Sequence, residues 1–138
     1  MIQFTVNSNQ ITFNVSSVGP VGPSGQPFSA LSTVAASGSI SASQSGTVFN
    51  NQGATAEIDL ALPVAATPPA PMSFSLFVAA NQNLALVAPS GVSIIYGPNS
   101  SSVGGSISSN AVGNFVSIAL VSATQWVVTS ISGVWNLA

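Results

Sequence analysis

Glu57 and Asp59 are the only side-chain carboxylates in the chain. Two residues apart on an extended segment, they point to the same side. A glycosidase pair needs carboxyls that face each other across a bound sugar, so neighbours on one strand are poorly placed for that work. There is no Lys, Arg or His to tune them or to share a proton. Aided by Asn or backbone oxygens they could hold Ca²⁺, but two solvated acids on a polar strand face is the simpler expectation. Serine is abundant, yet a nucleophilic serine needs an activating base, and without His or Lys no triad can be built. The absence of Cys and His removes thiolate and imidazole metal ligands, and with Cys the disulfides. Gly104-Gly105 has neither a following Lys nor the strand–loop–helix setting of a phosphate cradle. The sequence therefore predicts a protein that is not an enzyme, with no metal and no cofactor.

What remains for recognition is apolar. Tyr96, Phe115, Trp126 and Trp135 could form a trimer contact or a platform for a ligand such as a sugar, and core packing is the competing use of large aromatics. A second set sits at the start of the chain. Ile2, Phe4 and Val6 alternate with Gln3 and Thr5; Ile11, Phe13 and Val15 alternate with Thr12 and Asn14. With Asn7-Ser8-Asn9-Gln10 between them, the two runs predict a β-hairpin. An isolated hairpin is marginal in water, so its apolar face needs a partner surface.

These sets must be positioned by something, and the chain divides at Gly19-Pro20-Val21-Gly22-Pro23-Ser24-Gly25-Gln26-Pro27. Its prolines exclude a helix and favour an extended path. Glycine at every third place fits a triple helix, because only Gly fits at that axis. Three triplets span about 28 Å at most, too little to hold a trimer unaided. The predicted organisation is an arm at 1–18, a collagen-like Pro/Gly linker at 19–27 and a body at 28–138.

Within the body, Ile58, Leu60 and Leu62 alternate with Glu57, Asp59 and Ala61. Phe74, Leu76 and Val78 alternate with Ser75 and Phe77, which leaves Phe77 on the opposite face. Further runs at 84–88, 92–96, 115–121, 125–131 and 134–138 are separated by Gly, Pro and Asn turns, and 99–111 reads as a Ser/Gly/Asn loop. Short strands at such spacing predict an all-β body, an antiparallel β-sandwich or a barrel-like form of one.

Composition narrows the partners. Only 1% of residues are charged, where an average domain has roughly a quarter. Without cations the phosphate-neutralising term of nucleic-acid binding is missing, as is polybasic attraction to anionic lipid. No nucleic acid and no membrane are therefore expected. A mean hydropathy of +0.58 with almost no repulsive charge predicts a chain that buries surface against copies of itself or a larger particle.

From Ser45 the pattern resembles a known domain. Ser45-Gly46-Thr47-Val48-Phe49-Asn50-Asn51-Gln52-Gly53-Ala54-Thr55 leads to an acidic strand ending at Leu62-Pro63. Phe74-Ser75-Leu76-Phe77-Val78-Ala79-Ala80, Ile94-Ile95-Tyr96-Gly97 and Gln125-Trp126-Val127-Val128-Thr129-Ser130-Ile131-Ser132-Gly133-Val134-Trp135 follow. This resembles a β-domain of tailed-bacteriophage virion proteins, found in small capsid decoration (cement) proteins and in the distal parts of tail fibres. The resemblance covers about residues 45–138. It implies a homotrimeric virion component, and Gly-X-Y segments join trimeric domains in such fibres. The short chain leans towards a decoration protein on the outer capsid surface, its arm against the major capsid protein and its body trimeric. The alternative is a tail-fibre or adhesin tip that binds a host glycan through Tyr96, Trp126 or Trp135.

Overall fold

The structure, a computed structural model, describes residues 28–138 in full and the backbone of β1 (Ile2–Asn7) and β2 (Gln10–Val15). β1 and β2 pair antiparallel, Ile2 opposite Val15 and Asn7 opposite Gln10. The side chains of Ile2, Phe4, Val6, Ile11, Phe13 and Val15, assigned above to a docking face, lie outside the described residues, as does the Pro/Gly stretch at 19–27.

The body is a stack of two β-sheets. Its strands are β3 (Ala30–Thr33), β4 (Gly38–Ser39), β5 (Thr47–Asn50), β6 (Ile58–Ala61), β7 (Ser73–Phe77), β8 (Leu84–Val87), β9 (Ser93–Tyr96), β10 (Asn99–Ser100), β11 (Ser106–Ser109), β12 (Phe115–Ser122), β13 (Gln125–Ser132) and β14 (Asn136–Leu137). One sheet has seven strands in the order β10-β9-β13-β12-β7-β5-β3. The other has five, β14-β11-β8-β6-β4. A single 3₁₀ turn, Ala42–Gln44, is closed by a capping box: Ser43 N–H donates to Ser41 Oγ, and Ser41 N–H donates to Gln44 Oε1.

The all-β expectation holds, but the antiparallel and barrel expectations are corrected. Both sheets are mixed and neither closes. From β3 to β8 each strand lies in the sheet opposite its predecessor. Neighbours within a sheet are then two strands apart in sequence and run the same way. β3–β5, β5–β7, β4–β6 and β6–β8 are all parallel. Parallel pairs need crossover connections rather than tight turns. The link from β6 to β7, carrying Pro63, Pro68, Pro69 and Pro71, is such a connection. After β8 the winding changes: β11 pairs antiparallel with β8, and β12 with both β7 and β13.

Between the sheets lies one core. Ile58, Leu60 and Leu62 enter it from the smaller sheet's side, and Phe74, Leu76, Val116, Ile118 and Trp126 from the larger. Trp126 is fully buried, its ring 5.7 Å from that of Phe74, which in turn lies 6.3 Å from Phe49. Along β13 the inward positions change parity. Trp126 and Val128 face the core, and so does Ile131, because the register with β12 slips between Ser117 and Ile118. The bulge leaves Thr129 unpaired, and its hydroxyl donates to Ser117 O at 3.2 Å. One extra residue in a strand flips every later side chain to the other face.

Buried polar residues hold the connections. Asn51 has no exposed surface and uses its whole amide: Oδ1 accepts from the N–H groups of Ala79 (2.7 Å) and Ala80 (2.9 Å), and Nδ2 donates to the carbonyls of Ala80 (3.2 Å) and Gln82 (3.0 Å). It fixes the turn between β7 and β8, and so the passage from one sheet to the other. The predicted loop at 99–111 is also corrected, since it contains β10 and β11. β11 has a single large apolar residue, Ile107, which is fully buried. Ser109 is buried as well, its Oγ donating to Val134 O at 2.9 Å. One apolar residue among serines leaves too little alternation to read as a strand.

Candidate interaction surface

The residues singled out in the sequence do not gather into one site. Trp126 is corrected outright: it lies in the core and presents nothing to a ligand or a neighbouring copy. Tyr96 is exposed at the end of β9. Trp135 is half-buried, packed against the core, and its Nε1–H donates to Ser132 O at 3.1 Å. Among the described residues no ring contact joins Tyr96 or Trp135 to another aromatic. Glu57 and Asp59 are both exposed beside buried Ile58, and Asp59 N–H donates to Ser37 Oγ at 2.9 Å.

Phe115 alone of the four aromatics belongs to a larger surface. On the outer face of the seven-stranded sheet it stands directly opposite Phe77 across the β7–β12 pair. Phe28 closes on it edge-to-face, with centroids 5.7 Å apart and rings inclined by 64°. Leu31 and Val48 stand opposite each other across β3 and β5. Together these side chains line an open groove of about 530 Å³. Leu31 is 73% exposed and Phe77 39%. On the other side of Phe28 a second depression, about 420 Å³, is floored by Ser73, Ser75, Ser117 and Thr129. There the hydroxyls of Ser75 and Ser117 hydrogen-bond to each other at 2.6 Å.

Phe28 is held in place by its neighbour. Ser29 N–H donates to Gly46 O at 2.9 Å, its Oγ donates to Ser45 O at 3.2 Å, and Gly46 N–H donates to Ser73 O at 2.8 Å. Gly46 has φ of +86°, and a Cβ there would collide with the Ser29 side chain. A glycine is therefore required at 46 both for its left-handed backbone and for this close approach. The chain enters the described body on this face, pinned at Ser29, with the Phe28 ring lying between the two depressions.

Alternation in the sequence had already set Phe77 apart from Phe74 and Leu76. The parts of the groove it did not mark are Phe28 and Leu31, which come from a weakly patterned run, and Val48, one of two adjacent apolar residues. Their shared face is set by the parallel pairing of β3 with β5. No charged side chain lines either depression.

No protein-family model matches the chain, and no curated protein matches it at a significant level.

Proposed function

We propose that this protein is a structural virion component, a capsid decoration protein that assembles as a homotrimer on the outer surface of a phage head. The body makes the trimer, and the hairpin at 1–18 docks on the major capsid protein. The observation that carries the reading is an open apolar groove on a body with almost no charge. Such a surface gains by being covered, and nothing on it repels a like surface. The resemblance of residues 45–138 to phage virion β-domains supplies the setting.

The reading is tested on purified particles. Decoration demands hundreds of copies per particle, visible on the head by electron microscopy; a handful of copies at the tail would exclude it. The full chain carrying Phe4→Ser and Phe13→Ser should fail to decorate heads while keeping its β-sheet circular dichroism. Normal decoration by that variant would remove the docking role from the arm. The glycan-binding alternative is weakened by the burial of Trp126 and by the separation of Tyr96 from Trp135.

A further inference from the structure

We infer that the groove around Phe28 on the outer face of the seven-stranded sheet is the surface through which copies of this chain meet, with its occupant a second copy of the body. The inference rests on the homotrimer proposed above and names the face that would build it.

Four observations support this assignment. First, the chain enters the body here. Ser29 is tied to Gly46, and Phe28 packs edge-to-face against Phe115. The described body therefore begins at the rim of the groove, directly after the Gly-X-Y triplets in sequence. If the Gly-X-Y triplets of several copies run side by side, their Phe28 residues must converge, and the grooves must face the common axis. Second, the groove is lined by Leu31, Val48, Phe77, Phe28 and Phe115, with no charge among them. When copies converge on a common axis, an apolar, uncharged wall sets no like charges against each other, and a ring of three closes by meeting a different surface of the next copy.

Third, the groove borders an open sheet edge. β3 is the last strand of its sheet, and Leu31 stands well clear of the body. Natural sheets protect such edges with charge, proline or a cover, and β3 (Ala-Leu-Ser-Thr) carries neither charge nor proline. Fourth, the other exposed apolar residues do not compete. Val64, Val103, Val112 and Val134 lie on connections between strands, Tyr96 stands at the end of β9 with no ring contact among the described residues, and Val121 is the bulged residue near the β12–β13 turn.

A second copy fits better than the chain's own arm. Pro20, Pro23 and Pro27 in the sequence favour a stiff extended path over 19–27, at most about 28 Å long. Folding back onto a groove that begins at Phe28 would require that path to reverse.

The experiment is sedimentation velocity on the full chain and on full-length Leu31→Ser, Phe77→Ser and Phe13→Ser. Leu31 is exposed, so Leu31→Ser leaves the core intact and serves as the safeguard should Phe77→Ser fold poorly. The wild type should sediment as a trimer, Phe13→Ser likewise, and Leu31→Ser should dissociate at a concentration about tenfold higher or more, a shift well beyond that of an ordinary surface change. Trimers of unchanged affinity in both groove variants would overturn the groove as the interface while leaving the trimer standing. Dissociation of Phe13→Ser to the same extent as Leu31→Ser would make the arm the occupant and overturn the inference. A wild type that is monomeric at every concentration would remove the trimer itself, and with it the parent reading.

Discussion

The outer faces of the two sheets both carry little charge, yet they are built from different residue types. Across the five-stranded sheet, Asp59, Ala85, Ser108 and Asn136 lie in one row. Across the seven-stranded sheet, the corresponding rows run Leu31, Val48, Ser75, Ser117 and Phe77, Phe115. The first face is small and polar and holds Asp59; the second is ridged with aromatic and branched side chains and opens into a groove. In ordinary domains charge separates a wetted face from a covered one. Here there is almost no charge to assign, and side-chain size makes the distinction instead.

Both faces hang on one core, so the largest effect comes from removing it. Trp126→Ala should cost about 3–5 kcal/mol, the usual loss for a buried aromatic truncated to Ala, and thermal melting should show both sheets lost in a single transition. If they melted separately, the shared core would not couple them. Next is the turn that carries the chain from one sheet to the other. Asn51→Ala leaves part-buried backbone groups of Ala79, Ala80 and Gln82 short of partners and should cost about 1–3 kcal/mol, measured by chemical denaturation. A loss of a few tenths would mean that water replaces the amide.

The comparison of faces themselves is sharpened by a matched pair. Leu31→Ser should weaken self-association about tenfold, or roughly 1.4 kcal/mol, and Asp59→Asn should leave it unchanged in the same sedimentation assay. Equal effects from both would show that the two faces are not specialised. The smallest expected change is with salt. An interface without cations has little to screen, so raising ionic strength from about 0.05 to about 0.5 M should leave the trimer intact. Dissociation by salt would point to charge outside the groove.

Much of the fold is legible in the sequence where alternation is strong. Ile58/Leu60/Leu62 and Phe74/Leu76/Val78 are core faces as their pattern predicts. β11 is not legible, because Ile107 is its one large apolar residue and its remaining burial comes from a hydrogen-bonded serine. Asn51 looks like a turn residue in the run Asn50-Asn51-Gln52-Gly53, and nothing local reveals that its amide reaches residues 28–31 positions away. Of the predicted surface aromatics, Phe115 lies on the groove and Trp126 does not. The pattern Trp126/Val128 tells only that the two share a face, and an aromatic on a strand can turn towards either layer.

By itself the sequence determined which side-chain types are absent and the period of the strands. Without His, Lys, Arg or Cys the chain has no imidazole, cationic or thiol side chain, whatever the fold. An alternation of two residues makes each strong strand two-sided. Tertiary structure alone decided which sides meet. The switching of β3 to β8 between sheets makes their neighbours parallel, and that pairing brings Leu31 beside Val48. The bulge in β13 sends Ile131 inward with Trp126. The antiparallel β7–β12 register sets Phe77 against Phe115. These are long-range pairings, fixed by the packing of the whole core, and no local run of residues encodes them.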